Sequence, residues 1–201
     1  MKNQLQAINQ NHRPEIEQLH NAFPNLDNDD LIYLRSHSFI RHFDSKNFIN
    51  YEKSLAHYTL FVIKGFIRQF EIKGNSETTT SFYSSGQFIL SKSMAGYNQS
   101  NEFIQIIGDC TILCFSESSL NYLCNTCSSF NDLYRKAIEN ELVKNRKQIF
   151  NLNCKDATDR YLDFVEENKL ILQNFPQKHI ASYLGIAPET LSRVRREIIR
   201  A

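Results

Sequence analysis

Glu189, Ser192, Arg193 and Arg196 lie three and four residues apart near the end of a 201-residue chain, in the stretch QKHIASYLGIAPETLSRVRREIIR. On a helix turning about 100° per residue, all four fall within roughly 60° of one line, while Leu191, Val194 and Ile198 fall roughly 140–200° away. One face would therefore carry a carboxylate, a hydroxyl and two guanidinium groups, and the other would be apolar. Such groups can read base edges: Arg donates two hydrogen bonds to guanine O6 and N7, Glu accepts from cytosine N4, and Ser serves either role. Thr190 in the same turn and Lys178 in the preceding segment join the candidate contacts.

The elements that must hold this face are legible nearby. Gln177 to Leu184 reads as a first helix, with small Ala181 at the crossing with the second. Gly185 stands at the turn, where a positive φ is needed. Ile180, Leu184, Ile186, Leu191 and Val194 supply the contacts between the helices. Pro188 suits the first turn of the second helix, where its missing N–H costs nothing. From Gln177 onward, five basic against two acidic side chains leave an excess of three positive charges, available to backbone phosphates. The bland alternative, a solvated helix hairpin capping the fold, leaves the agreement between small-residue spacing and polar face unexplained. The expectation is a DNA-binding helix-turn-helix.

The rest of the chain excludes several classes. Net charge is +1, so only local charge carries information. The N-terminal residues lack the apolar segment of a secretory signal, and runs such as LFVI are too short to span a bilayer. The expectation is a soluble cytoplasmic protein with no membrane contact. Five cysteines, all beyond residue 109, do not resemble a secreted disulfide framework. No Gly-rich phosphate loop, H-E-x-x-H or G-x-S-x-G is present, so no enzyme is expected.

Ile16, Leu19, His20 and Phe23 predict a short helix ending at Pro24, and a second begins near Asp27 with Leu31, Ile32 and Leu34 inward. From Ser38 to Phe115, SFIRHF, HYTLFVIKGFIRQFEI, ETTTSFY, QFIL, EFIQIIG and CTILCF read as strands. Turn signals fall at Gly65, Gly74-Asn75, Ser84-Ser85-Gly86 and Gly108-Asp109, giving an antiparallel sandwich or barrel. A long helix then runs from Ser129 to about Asn153, its stripe formed by Phe130, Leu133, Tyr134, Ala137, Ile138, Leu142, Ile149 and Phe150. Either it is a core spine or, as its place between two domains favours, half of a dimer seam. Asp156 caps a further helix reaching Glu167, and LILQNF leads into Pro176.

This order of parts resembles the Crp/Fnr family of bacterial transcription regulators over nearly the whole chain. The resemblance rests on LFVIKGFIR (60–68), FYSSGQFI (82–89), GDCTILCFS (108–116) and PQKHIASYLGIAPETLSRVRR (176–196). It implies an α+β fold: an antiparallel, jelly-roll-like β-roll sensor domain (1–128), a dimerisation helix (129–153) and a small winged-helix-like helix-turn-helix domain (154–201). ETLSR resembles the E-x-x-S-R motif of the Fnr-like branch, which implies base contacts by Glu189, Ser192 and Arg193 and half-sites with a TGA-like core. Pro188 replaces the arginine of the cAMP-type branch. Ala187 replaces the usual Ser or Thr cap, at a cost of roughly 0.5–2 kcal/mol. Wing strands after the recognition helix are not expected, and clamping of the DNA backbone is expected to be weaker. The implied partners are double-stranded DNA, a second copy of the chain, RNA polymerase and an unknown small-molecule effector.

Cyclic-nucleotide binders of the family use a Gly-Glu pair for ribose and an Arg-Ser pair for phosphate. Matched on GDC, Ser91 stands near the Glu position, and Ser100 and Asn101 at the Arg-Ser positions. No arginine lies between Arg68 and Arg135, so a cyclic phosphate would lack its charge-assisted partner. No cAMP response is expected. Ser91, Lys92 and Ser93 either line a pocket for another ligand or form a degenerate loop. Cys110, Cys114, Cys124 and Cys127 have a spacing that can hold zinc or an iron–sulfur cluster. Cys110 and Cys114 share a strand face with Ile112, which favours burial as small hydrophobes and no cofactor. His37, His42 and His57 are the weak candidates for haem. The rival to a DNA-binding regulator is a cyclic-nucleotide or small-ligand module whose terminal helices contact protein.

Overall fold

A computed structural model describes residues 19–24, 26–44, 48–50, 55, 57–90 and 102–200. Residues 19–22 form a helical turn that buries Leu19 and Phe23 but leaves His20 exposed, contrary to the predicted stripe. Helix α1 (Asn28–Ser36) starts where expected, with the Asp27 side chain accepting from Asp30 N. Its Leu31 and Leu34 point inward, whereas Ile32 is exposed. An inward face of a nine-residue helix accommodates positions three apart, and Ile32 lies about 100° from Leu31.

The strands are β1 (Ser38–Phe43), β2 (Phe48–Asn50), β3 (Tyr58–Lys73), β4 (Ser76–Ser84), β5 (Phe88–Ile89) and β6 (Glu102–Ser116). All pairings are antiparallel, in the order β1-β6-β3-β4, with β2 on β6 and β5 on β3. Gly74-Asn75 makes the predicted hairpin turn between β3 and β4. Gly65 and Gly108 do not turn the chain. Both sit at positive φ inside single long strands, and the β3–β6 register slips between Val62 and Phe66. A Cβ on Gly65 would lie 2.6 Å from Asp109 O. The glycine thus permits a bulge where two strands bend together. HYTLFVIKGFIRQFEI therefore continues as one strand through its expected turn at Gly65, and the two predicted strands EFIQIIG and CTILCF are one.

Inside the roll, Leu60, Val62, Ile67, Ile104, Ile106 and Ile112 form one apolar cluster, joined by Cys110 and Cys114. On the other side, Leu19, Phe23, Leu31, Phe61, Phe115 and Phe130 tie the N-terminal helices and the following two helices to the sheet. Those two are α2 (Glu117–Thr126), capped by Ser116 accepting from Ser119 N, and α3 (Ser128–Cys154), 27 residues long. The first half of α3 packs Phe130, Leu133, Tyr134 and Ala137 on the roll. Ile138, Leu142, Ile149 and Phe150, from the same predicted stripe, are exposed. Helices α4 (Ala157–Glu167), α5 (Lys169–Asn174), α6 (Gln177–Tyr183) and α7 (Pro188–Arg200) follow. They share a third cluster that includes Tyr161, Phe164, Ile180, Ala181, Leu191 and Val194. Asp156 caps α4 as predicted, accepting from Asp159 N. Among the described residues, no helix is long and apolar enough to cross a membrane.

Candidate nucleic-acid interface

Helices α6 and α7 form a helix-turn-helix. Ala181 is fully buried, and Gly185 adopts φ 65°. Gly185 N donates to Ser182 O (3.2 Å) and Ile186 N to Ala181 O (3.0 Å), closing the turn. A Cβ on Gly185 would come within 2.9 Å of Leu152 Cδ2, so the turn also lies against the end of α3. Pro188 opens α7, and Ala187 caps it through its carbonyl alone, accepting from Leu191 N.

Glu189, Ser192, Arg193 and Arg196 are all exposed, while Leu191 and Val194 are buried against α6 and α4. Arg196 Nε donates to Ser192 O at 3.4 Å. No hydrogen bond or ion pair to a described residue engages the Glu189 or Arg193 side chain. Both stand ready for an external partner. Lys178 is exposed on α6. Thr190 is half-buried, turned about 100° from Glu189 toward the protein, and departs from the predicted contact face.

The base of this unit rests on the roll. Phe82 of β4 meets Phe175 (centroids 4.6 Å apart), Tyr183 (5.3 Å) and Phe164 (6.2 Å). Burial, reinforced by Glu141 and Glu167, pushes the Tyr183 phenol up to about 12. Arg68 of β3 is 1% exposed. Its Nε donates to Thr79 Oγ1 (2.9 Å), its Nη1 to Glu77 Oε2 (2.8 Å) and Gln105 Oε1 (3.0 Å), and the guanidinium stacks on Phe70. Buried His179 of α6 faces this group. Burial, then Arg68 and Lys178, bring it down to about 4 against the pull of Glu77.

A cleft of about 640 Å³ separates the roll interior from α3, with Gln69, Ser81, Tyr83, Glu102 and Glu141 on its walls. The Tyr83 hydroxyl lies 3.0 Å from Gln69 Oε1 and 3.3 Å from Glu141 Oε1. Burial, followed by Glu141, raises this phenol well above its usual range. The described lining holds two carboxylates and no basic side chain. Sequence reasoning missed these residues. Strand alternation could have found Gln69 and Ser81, which share the inward parity of Ile67 and Tyr83. The predicted effector residues Ser91, Lys92, Ser93, Ser100 and Asn101 lie outside the described residues.

The cysteines do not converge. Cys110 and Cys114 sit in the roll interior, where burial pushes both thiols up to about 12. Cys127 instead caps α3, its Sγ accepting from Phe130 N and donating to Asp30 Oδ2 at 3.0 Å. Among the described residues, no three His, Cys, Asp or Glu side chains form a metal-binding group. His37 stacks on Tyr33, and His42 Nδ1 lies 3.1 Å from Thr111 Oγ1.

A roll, a long helix and an exposed helix-turn-helix in this order give the fold of the Crp/Fnr transcription regulators. The chain is similar to a CooA variant from Carboxydothermus hydrogenoformans (TM-score 0.68, 17% identity, 82% of this chain and 78% of that one). It is similar to FixK2 from Bradyrhizobium japonicum (TM-score 0.64, 17% identity, 81% and 85%). A third neighbour is CLP from Xanthomonas campestris, a c-di-GMP responsive global regulator (TM-score 0.64, 17% identity, 87% and 92%). No protein-family model and no curated protein sequence matches the chain.

Proposed function

We propose that the chain is a Crp/Fnr-type, sequence-specific DNA-binding transcription regulator, acting in the cytoplasm as a homodimer on palindromic operators. The observation that carries this reading is the exposed set Glu189, Ser192 and Arg193 on one side of α7, with the Glu189 and Arg193 side chains unpaired among the described residues. Its parts are a roll with N-terminal helices (1–128), a dimerisation helix (129–153) and a DNA-binding domain (154–201).

Dimerisation is supported by α3. Ile138, Leu142, Asn145, Ile149 and Leu152 follow one another at intervals of four, three, four and three, a heptad seam. Its apolar members are 42–60% exposed in the single chain. Two such helices would seat two α7 helices about one DNA turn (~34 Å) apart, in successive major grooves. Arg193 then reads guanine in a TGA-like core, Glu189 reads the base opposite, and Lys178 and Arg196 contact phosphates. RNA polymerase is the further protein partner of this reading.

The regulator does not answer to cAMP. Arg68 is committed to Glu77, Thr79 and Gln105, and Arg135 pairs with Asp132 and Glu139 on the surface of α3. The carboxylates of the roll cleft oppose an anionic ligand. An effector of another class is expected, with Ser91, Lys92, Ser93, Ser100 and Asn101 as candidate contacts.

Selection of bound sequences from a random DNA pool tests the reading. Wild type should enrich a palindrome. Arg193→Ala should lose roughly 1–3 kcal/mol and relax base choice at one position of each half-site. An unchanged preference in that variant would sink the base-reading role of Arg193. Tight, saturable binding of cyclic nucleotides, read by fluorescence titration, would instead favour a ligand module.

A further inference from the structure

Strand β4 lies at the edge of the sheet, pairing with β3 alone among the described strands. An open edge leaves backbone N–H and C=O groups unpaired, and proteins cover such edges or pair them. Here Lys144 of α3 donates to Phe82 O, and one side chain of the helix-turn-helix takes two further groups. Ser182 Oγ accepts from Thr79 N at 2.9 Å and donates to Glu77 O at 3.2 Å, satisfying two edge groups 103 and 105 residues away. The two strand residues it grips are held in turn from below. Thr79 Oγ1 and the Glu77 carboxylate are both bonded to buried Arg68. The serine therefore docks on a rigid ledge, not on a loose hairpin tip.

Ser182 also sits at the last turn of α6, and its own carbonyl accepts from Gly185 N in the turn leading to α7. A displacement of Ser182 would be passed directly to the start of the candidate reading helix. None of the exposed reading residues is covered by this docking. The docked state thus leaves α7 able to meet a groove.

We infer that Ser182 is a positioning residue for DNA reading: its grip on the β4 edge sets the direction in which each α7 leaves the roll. This role rests on the regulator reading above. Each protomer of a dimer must present α7 at a fixed separation from its mate. Without the grip, the apolar packing of Phe82 and the contact between Leu152 and Gly185 remain, and the two helices sample a wider range.

Two readouts test the inference on the full-length chain. The first is hydrogen exchange at the Thr79 amide, which needs no DNA. Ser182→Ala should speed exchange there about tenfold, the scale of losing one or two hydrogen bonds, and Ser182→Thr should restore protection. The second is affinity for the selected palindrome and for versions with one or two base pairs added or removed between half-sites. Ser182→Ala should lose about tenfold on the parent spacing, tolerate altered spacings better than wild type, and bind an isolated half-site as wild type does. Ser182→Thr should recover the narrow spacing preference. Unchanged exchange at Thr79 would show that the grip does not exist in solution. Faster exchange with an unaltered spacing preference would show a contact without a positioning role. If wild type selects no sequence at all, the regulator reading and this role both fall, while the exchange result still reports on the contact by itself.

Discussion

At the scale of single residues, the proposed reading gives neighbours on one helix distinct tasks. Arg193 has no partner among the described residues and is exposed. Arg196 leans on the Ser192 carbonyl, which suits a phosphate contact more than a base contact. Arg196→Ala should therefore weaken all DNA sequences alike and flatten the salt dependence of binding by about one unit of log–log slope, measured by anisotropy titration across salt concentrations. His179 behaves differently. Its folded value of about 4 lies below the value of an unfolded chain, about 6.5, so the unfolded state takes up a proton first as pH falls. Stability from His179 is thus complete above about pH 6.5, erodes down to about pH 4 and then levels off. Urea midpoints followed across that window should fall more steeply for wild type than for His179→Asn; parallel curves would remove His179 from the account. The polar and apolar faces of α7 were readable because a 3.6-residue period assigns them directly. Thr190 was not, since its half-burial depends on how α7 packs against the rest of the unit.

Among the elements, the roll shows what glycine does and does not say in a sequence. Gly65, Gly74 and Gly108 all adopt positive φ. Only Gly74 reverses the chain; the other two bend strands that continue. The requirement for a left-handed backbone is the same in both settings, so residue type alone cannot separate them. Space around the glycine singles out Gly65 alone, since Gly108 is as open as Gly74. Gly74 is open, whereas a side chain at Gly65 would strike Asp109 O and the Cys110 backbone. Gly74→Ala should cost about 1–2 kcal/mol from its φ alone, while Gly65→Ala adds a backbone clash and should cost more than about 3 kcal/mol or prevent folding. Chemical denaturation of the two variants side by side checks the order. The helices were easier to read: Asp27 and Asp156 stand where the sequence places two helix starts, and each caps its helix by its side chain.

For the whole molecule, the order of roll, long helix and helix-turn-helix was legible because each part has its own pattern. The way the last part rests on the first was not. It depends on Phe82, Thr79 and Ser182 meeting across about half the chain, and a serine near the end of a short helix carries no sign of its partner. The long helix was read as spine or seam, and it offers a separate face for each. Its unoccupied face makes a clear forecast. Ile149→Glu would bury a charge on each side of the proposed two-fold axis and should weaken self-association by at least about 2–4 kcal/mol, giving monomers in sedimentation velocity. Asn145→Leu, replacing the one polar member of the heptad, should tighten association and loosen its register. Dimers that persist unchanged in the Ile149 variant would place the contact elsewhere.

Helix α3 runs unbroken for 27 residues, about 40 Å. At Glu141 it meets the Tyr83 hydroxyl, and three turns further on Leu152 presses against Gly185. Under the regulator reading, a ligand in the sheet's hollow that turned α3 by a few degrees would carry that turn to the elbow between α6 and α7, because one continuous helix touches both places.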